Sequence, residues 1–150
     1  VALLIQFVPG LLFARLVLGF QPPASGQAAL LSVVSAGLGY LVFFCLNFLI
    51  GLLSIVTLDI RSYGWAYNSL VRFASGQIVP LWMFPGPLRA IAGALPFQSV
   101  FFVPMSLYIG AYEGNPLQAL GAQAGWAVVL FALCRLFWAR VQRRIAIQGG

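Results

Sequence analysis

The sequence contains no histidine, no lysine and only two acidic residues, Asp59 and Glu113. Without these residue types the chain cannot supply a Ser-His-Asp triad, a paired-carboxylate site or a standard metal cage. A phosphate-binding loop of the form G-x-x-x-x-G-K-[ST] is excluded because it needs a lysine. We therefore expect no enzyme activity, no metal and no cofactor in this chain, and any ATP hydrolysis would belong to a separate subunit.

Charged side chains of any kind are scarce, at 7% of the residues, whereas a soluble domain typically has about 25%. Hydrophobic residues make up 62% and the mean hydropathy is +1.00, which leaves too little polar surface to cover a water-soluble globule. The same counts exclude a disordered chain. The composition therefore predicts a membrane protein that has the lipid bilayer as its main solvent and partner.

The basic residues are eight arginines, and they stand at the ends of the hydrophobic segments. A nucleic-acid footprint needs a basic face on a soluble element, so we expect no nucleic-acid partner. The distribution instead predicts topology, because arginine is enriched on the cytoplasmic side of membrane proteins. Arg61, Arg72 and the arginine-rich tail are thus expected inside the cell, with a cytoplasmic C-terminus and an even number of crossings between the two groups.

Four hydrophobic segments approach the length needed, at about 1.5 Å per residue, to cross a hydrocarbon core of about 30 Å. We predict an all-α, polytopic membrane protein with spans near residues 1–20, 29–58, 67–84 and 117–139, in a single transmembrane domain of residues 1–150. The alternative for residues 1–20 is a signal peptide, but the segment lacks a basic start and a small-residue cleavage site. Because the chain is already apolar at Val1, we expect it to be part of a longer protein.

Six of the nine prolines lie between residues 80 and 116. They divide residues 85–112 into apolar pieces of about ten residues, which are too short to cross and are typical of re-entrant or interfacial segments. We predict a re-entrant helical pair, near residues 88–95 and 99–108, before the last span. Glu113 and Asn115 then fall on the outer side, in an exposed loop.

Polar and helix-breaking residues interrupt the predicted third span near mid-membrane, at Ser75, Gly76, Gln77 and Pro80. Irregular backbone at that depth has to be buried in protein or face a watery cavity. A simple packing kink explains the same pattern equally well. The sequence therefore leaves a functional break and a structural kink as alternatives.

Small residues stand four apart in two of the predicted spans, at Ser35 and Gly39 and at Gly121 and Gly125. Such pairs occur where helices pack closely, although they are also common by chance. The two cysteines, Cys45 and Cys134, lie inside apolar runs, where a thiol behaves as a small hydrophobe. We expect neither a disulfide nor a metal site from them.

The break and the prolines that follow it resemble the type-2 ABC exporter permease family. The resemblance rests on Ser75-Gly76-Gln77-Ile78-Val79-Pro80-Leu81-Trp82-Met83-Phe84-Pro85, on Leu95-Pro96-Phe97, and on Pro104 before Tyr108-Ile109-Gly110. The closing Gln148-Gly149-Gly150, after the arginine-rich tail, is similar to one bacterial branch of that family. Over residues 28–150 the resemblance implies the last part of a six-span subunit in the inner (plasma) membrane.

The resemblance also implies a dimer of permease subunits, identical or related, that works with two ATP-binding-cassette ATPase subunits on the cytoplasmic side. It makes the break and the re-entrant region candidates for the substrate path or its gate, namely Ser75, Gly76, Gln77, Pro80, Pro85, Pro96, Phe97 and Pro104. The candidates for the cytoplasmic interface are Asp59, Arg61 and Arg72. The hypothesis is an export permease whose hydrophobic path suits lipids, lipid-linked glycans, amphiphilic drugs and peptides alike, and the alternative is a non-transporting membrane scaffold or assembly protein.

Overall fold

The computed structural model describes residues 21–57 and 60–148. Within these residues the chain is all-helical and has no strand: α1 (Gly26–Thr57), α2 (Ile60–Ala74), α3 (Gly86–Ala94), α4 (Phe102–Tyr108) and α5 (Pro116–Gln148), with short 3-10 helices at Leu81–Met83 and Pro96–Ser99. The all-α class is thus confirmed for the described part of the chain. The predicted first span, residues 1–20, and Asp59 lie outside the described residues, and the side chain of Arg61 is not described either.

Helices α1 and α5 are each long and apolar enough to cross a membrane. An 18-residue window within Gly26–Ser54 of α1 reaches a mean hydropathy of 2.2, and one within Pro116–Gln142 of α5 reaches 1.6. Many of their large apolar side chains are exposed, and Val33 and Val128 are 70% and 69% exposed. A soluble protein rarely leaves so much apolar surface in water, so these faces fit contact with lipid. The spans predicted at 29–58 and 117–139 coincide with these two helices.

Both long helices begin at side-chain caps. Ser25 Oγ accepts a hydrogen bond of 3.0 Å from the Ala28 amide, and Asn115 Oδ1 accepts one of 2.9 Å from the Leu117 amide. Serine and asparagine are favoured there because their side chains satisfy amides that have no partner within the helix. Pro116 follows as the first residue of α5, where its missing N–H costs nothing.

The long helices α1 and α5 lie side by side and run in the same direction. Three contacts join them in order along both helices: Ser35 with Gln123, Cys45 with Cys134, and Phe48 with Trp138. Their shared apolar core consists of Val42, Cys45, Leu130 and Cys134. Because the sequence separation stays near 88 to 90 residues, both helices begin at the same end of the bundle, which we call the capped end.

The span predicted at residues 67–84 is not one helix, which corrects that prediction. Helix α2 ends at Ala74, after 15 residues, and Gly76 follows with a φ of +79°. The Gly76 amide donates to the Phe73 carbonyl and the Gln77 amide donates to the Arg72 carbonyl. This pair of bonds is a Schellman motif, in which a glycine in the left-handed region stops a helix. At about 1.5 Å per residue α2 is about 22 Å long, too short to cross alone.

Residues 85–112 form short helices close to the predicted ones, at α3 and α4. Prolines stand in the first turn of α3, of the 3-10 helix Pro96–Ser99 and of α4. The first amides of a helix have no partner within it, so proline is tolerated there and fixes where each short helix begins. The prolines therefore divide this region, as expected, without interrupting any of its helices.

The segment from Pro96 to Tyr108 connects the middle of α1 with the capped end. Ser99 packs against Gly39, which lies 13 residues into α1 and thus about 20 Å from its start. Helix α4 then returns, and the Tyr108 carbonyl accepts a hydrogen bond of 3.0 Å from the Ala24 amide. The chain therefore reaches half-way along α1 and comes back to the same end.

Candidate functional site

A buried polar contact lies where α1, α5 and the 3-10 helix Pro96–Ser99 meet. Ser35 Oγ donates a hydrogen bond of 2.9 Å to Gln123 Oε1, and Gln123 Nε2 donates one of 3.1 Å to the Ser99 carbonyl. Ser35, Gln123 and Ser99 are each at least 97% buried. Since an unpaired amide would be costly in an apolar surrounding, this network fixes the short helix against both long helices.

Gly39 makes the close approach to Ser99 possible. A Cβ atom at position 39 would overlap the Ser99 carbonyl oxygen, which is a backbone atom and cannot rotate away. At Gly37, two positions away and on the other face of the same helix, a Cβ atom would have no neighbour within 4 Å. The Ser35 and Gly39 pair thus marks a close contact. The contact is with the 3-10 helix Pro96–Ser99, through the backbone of Ser99.

The break after α2 is joined to the start of α4. The Ser75 carbonyl accepts a hydrogen bond of 3.1 Å from the Phe102 amide, and a Cβ atom at Gly76 would lie 2.9 Å from Leu81 Cδ1. Ser75 is 98% buried. The backbone groups that the helix end leaves free are therefore met by protein, as irregular backbone requires inside a membrane.

The candidate gate residues fall into two groups. Ser75 and Gly76 are buried at the junction with Phe102, and Pro96 is buried in the 3-10 helix beside it. Three further candidates are half-buried: Pro80, Phe97 and Pro104. Gln77 and Pro85 are exposed. The structure thus gathers part of the predicted set around the break and leaves the Gln77 side chain and the start of α3 outside that contact.

The candidate interface residues are separated along α2. Arg61 lies in its first turn and Arg72 in its last turn, about 16 Å apart at 1.5 Å per residue. Arg72 is exposed and stands three residues before Ser75. It therefore lies beside the break, whereas Arg61 lies at the opposite end of α2.

Two cavities adjoin the α3 to α5 region near the capped end. The first has a volume of about 340 Å³, and its lining includes Trp82, Arg89, Phe102 and Tyr112. The second has a volume of about 260 Å³ and extends to Ser99 and Gln123. Gly93, Gln98, Tyr112 and Glu113 line both. Among the described residues no group of three potential metal ligands lies together.

An ion pair bridges α3 and the loop before α5 at these cavities. Arg89 Nη2 donates to Glu113 Oε2 at 2.7 Å, and the two side chains are 47% and 78% exposed. Glu113 and Asn115 are both exposed, as the predicted loop requires. Within the stretch from residue 73 to residue 134, Arg89 and Glu113 are the only charged residues.

Sequence reasoning missed Gln123, Ser99 and the ion pair. The available signal for Gln123 was its amide side chain inside an apolar span, because such groups need a partner in lipid. The Gly121 and Gly125 pair, in contrast, lies on an exposed face where an added Cβ atom would have no neighbour within 4 Å. Among the residues that the structure describes, that pair brings no helix close.

Replacing Gln123 with leucine should lower thermal stability, because Ser35 Oγ and the Ser99 carbonyl would lose their partner. In a double-mutant cycle measured by thermal unfolding in detergent, Ser35→Ala and Gln123→Leu should couple by about 0.6–1.7 kcal/mol, the range found between membrane helices. Gln118→Leu, an exposed position on the same helix, is the matched control and should have little effect. Additive effects of the two substitutions would contradict the network.

Comparison with known proteins gives a family match. The family model for the ABC-2 family transporter protein matches residues 6–149, which is nearly the whole chain. No curated protein and no solved structure matches significantly. The family match agrees with the two long apolar helices and with the resemblance noted in the sequence, and on this evidence the chain belongs to the ABC-2 transporter family and is a membrane transporter component.

Proposed function

We propose that this chain is a membrane-spanning permease subunit of an ATP-binding-cassette export system. The observation that carries the proposal is the family match over residues 6–149. The exposed apolar faces of α1 and α5 support insertion in the inner (plasma) membrane. The ATPase subunits on the cytoplasmic side would hydrolyse ATP, and this chain would form the substrate path with a second permease subunit, identical or related.

The four-span topology becomes a proposal in which the third of the four crossings is only partly helical. Helix α2 begins at Ile60 and ends at the break, and residues 75–88 continue towards the capped end, where Arg89 meets Glu113. Residues 60–88 would thus form the crossing expected at 67–84, and Arg72 would lie within this crossing, not at the cytoplasmic interface that the sequence predicted for it. The capped end would be the outer one, and the C-terminus would be cytoplasmic, as the terminal arginines favour.

The outer gate is proposed at the contact between the break and the re-entrant segment. Ser75 and Gly76 meet Phe102 there, and the chain from Pro96 to Tyr108 reaches half-way along α1 before it returns. The contact between the break and α4 can open without altering the packing of α1 against α5. Pro80, Pro96, Phe97 and Pro104 would fix the geometry of this gate.

The transport proposal is tested by reconstitution with the partner ATPase. The protein should co-purify with an ATP-binding-cassette ATPase and should stimulate its ATP hydrolysis in liposomes. A matched preparation with the ATPase alone is the control. A chain that never co-purifies with an ATPase would instead favour the scaffold or assembly role.

The topology is tested by cysteine labelling in intact cells. Glu113→Cys, at an exposed position, should react with an impermeant thiol reagent from outside, and Arg143→Cys should not. The natural cysteines, Cys45 and Cys134, are buried and should contribute little labelling. Labelling of Arg143→Cys before the cells are opened would refute the proposed orientation.

A further inference from the structure

The cavity of about 340 Å³ beside the Arg89 and Glu113 pair has the features of a small-ligand site. Its volume lies in the range typical of ligand pockets, which combine apolar walls with a few convergent polar groups. Here Leu81, Trp82 and Phe102 supply the apolar wall, and Arg89, Gln98, Tyr112 and Glu113 supply the polar groups. The ion pair within this lining decides which ligand charge can enter.

The two charged side chains stand close together, 2.7 Å between Arg89 Nη2 and Glu113 Oε2, and both are substantially exposed. An anion alone would meet Arg89 but would also face the Glu113 carboxylate, and a cation alone would meet the reverse conflict. A zwitterion that carries both charges can take the place of each partner in the pair. Since an exposed ion pair contributes little stability, opening it costs little.

The position of the cavity at the capped end selects the source of such a zwitterion. Glu113 lies three residues before Pro116, the first residue of α5, and so at the end of that apolar stretch. Trp82 and Tyr112 line the cavity there, and tryptophan and tyrosine are enriched at headgroup depth. The groups in reach at this depth are lipid headgroups.

We propose that this cavity binds the headgroup of a zwitterionic phospholipid, with the phosphate at Arg89 and the ammonium group at Glu113. The phosphate accepts hydrogen bonds from the Arg89 guanidinium. The ammonium group is held by the Glu113 carboxylate. The site holds α3 and the loop before α5 together through the lipid.

The test uses the protein in a maltoside detergent and measures lipid adducts by native mass spectrometry, with no ATPase present. A negative result would therefore contradict the lipid-binding proposal without contradicting the transport proposal. The probes are dihexanoyl phosphatidylethanolamine, which carries both charges, and dihexanoyl phosphatidylglycerol, which carries only the anion. We expect the zwitterionic lipid to bind more tightly, by up to about fivefold, as one exposed charge contact allows.

Three variants assign the preference to the two side chains. Glu113→Gln should bind both lipids equally, and Arg89→Gln should weaken both, because the phosphate is common to them. Arg135→Gln removes an exposed arginine of α5 that does not line the cavity and should change neither. Equal binding of the two lipids by the unaltered protein, or a preference that survives Glu113→Gln, would overturn the proposal.

A competition experiment on the unaltered protein covers the case in which a variant fails to fold. Glycerophosphoethanolamine carries the same two charges without acyl chains. It should displace phosphatidylethanolamine only weakly, because it lacks the chains that lie against the apolar faces. Displacement as effective as that by the lipid itself would show a site for a soluble phosphate and ammonium compound, and would overturn the assignment to a lipid.

Discussion

Gly39→Ala should unfold at a lower temperature than the unaltered protein, because the added Cβ atom would overlap the Ser99 carbonyl oxygen. The backbone of Ser99 would have to move away from α1, and Ser99 would then also move away from Gln123. Overpacking of this kind costs about 1–3 kcal/mol in soluble cores. At about 2–4 °C per kcal/mol for a chain of this size, the transition should fall by several degrees in a detergent unfolding experiment.

Gly37→Ala is the matched control for this prediction. Gly37 lies in the same helix, its added Cβ atom would have no neighbour within 4 Å, and alanine is the better helix former. Its transition should therefore stay the same or rise slightly. If Gly39→Ala were as stable as Gly37→Ala, the contact between α1 and the segment Pro96–Ser99 would be wrong.

Gly76→Leu should strongly reduce transport while the protein is still produced in folded form. Gly76 has a φ of +79°, where a residue with a Cβ atom pays about 1–2 kcal/mol, and the new atom would also meet the mobile end of the Leu81 side chain. If this strain disfavours the conformation of the gate that is needed for transport, the population of that conformation falls about fivefold to thirtyfold. The measurements are substrate-stimulated ATP hydrolysis or transport, with folded yield determined in parallel.

Two controls separate gating from packing in this experiment. Gly64→Leu places the same side chain on α2 at a site where an added Cβ atom would have no neighbour within 4 Å, and should leave transport nearly normal. Gly76→Asn keeps a residue that tolerates the left-handed region and should be the mildest change at position 76. A joint loss of yield and transport in Gly76→Leu would favour a packing kink. Normal transport by Gly76→Leu together with Gln77→Leu would remove the break from the mechanism.

The helices that could be predicted from the sequence are those whose signals are local. The spans at 29–58 and 117–139 follow from uninterrupted apolar composition, and the helices now found at α3 and α4 follow from the proline spacing. The prediction of a single helix at 67–84 was wrong. Gly76 forms a Schellman motif at the end of α2, and this motif stops the helix. The same residues that suggested a bend inside a helix in fact end it.

The candidate site was predictable only in part. Ser75 and Gly76 were singled out by their place in an apolar segment, and the structure joins them to Phe102. Ser99 and Gln123 were not, because nothing near either residue in the sequence indicates that they meet each other. Arg89 and Glu113 likewise lie 24 residues apart, and neither side chain alone suggests a pair.

The sequence by itself determined the helical class of this protein, its two long apolar helices and the positions at which prolines begin its short helices. These properties depend on composition and on residues within one or two turns of each other, so they can be read along the chain. Only the tertiary structure decided that α1 and α5 run in the same direction and that Ser35, Gln123 and Ser99 share one buried network. Such contacts depend on how two helices almost 90 residues apart in the sequence are rotated and offset. The local conformational preferences of the residues do not determine that arrangement.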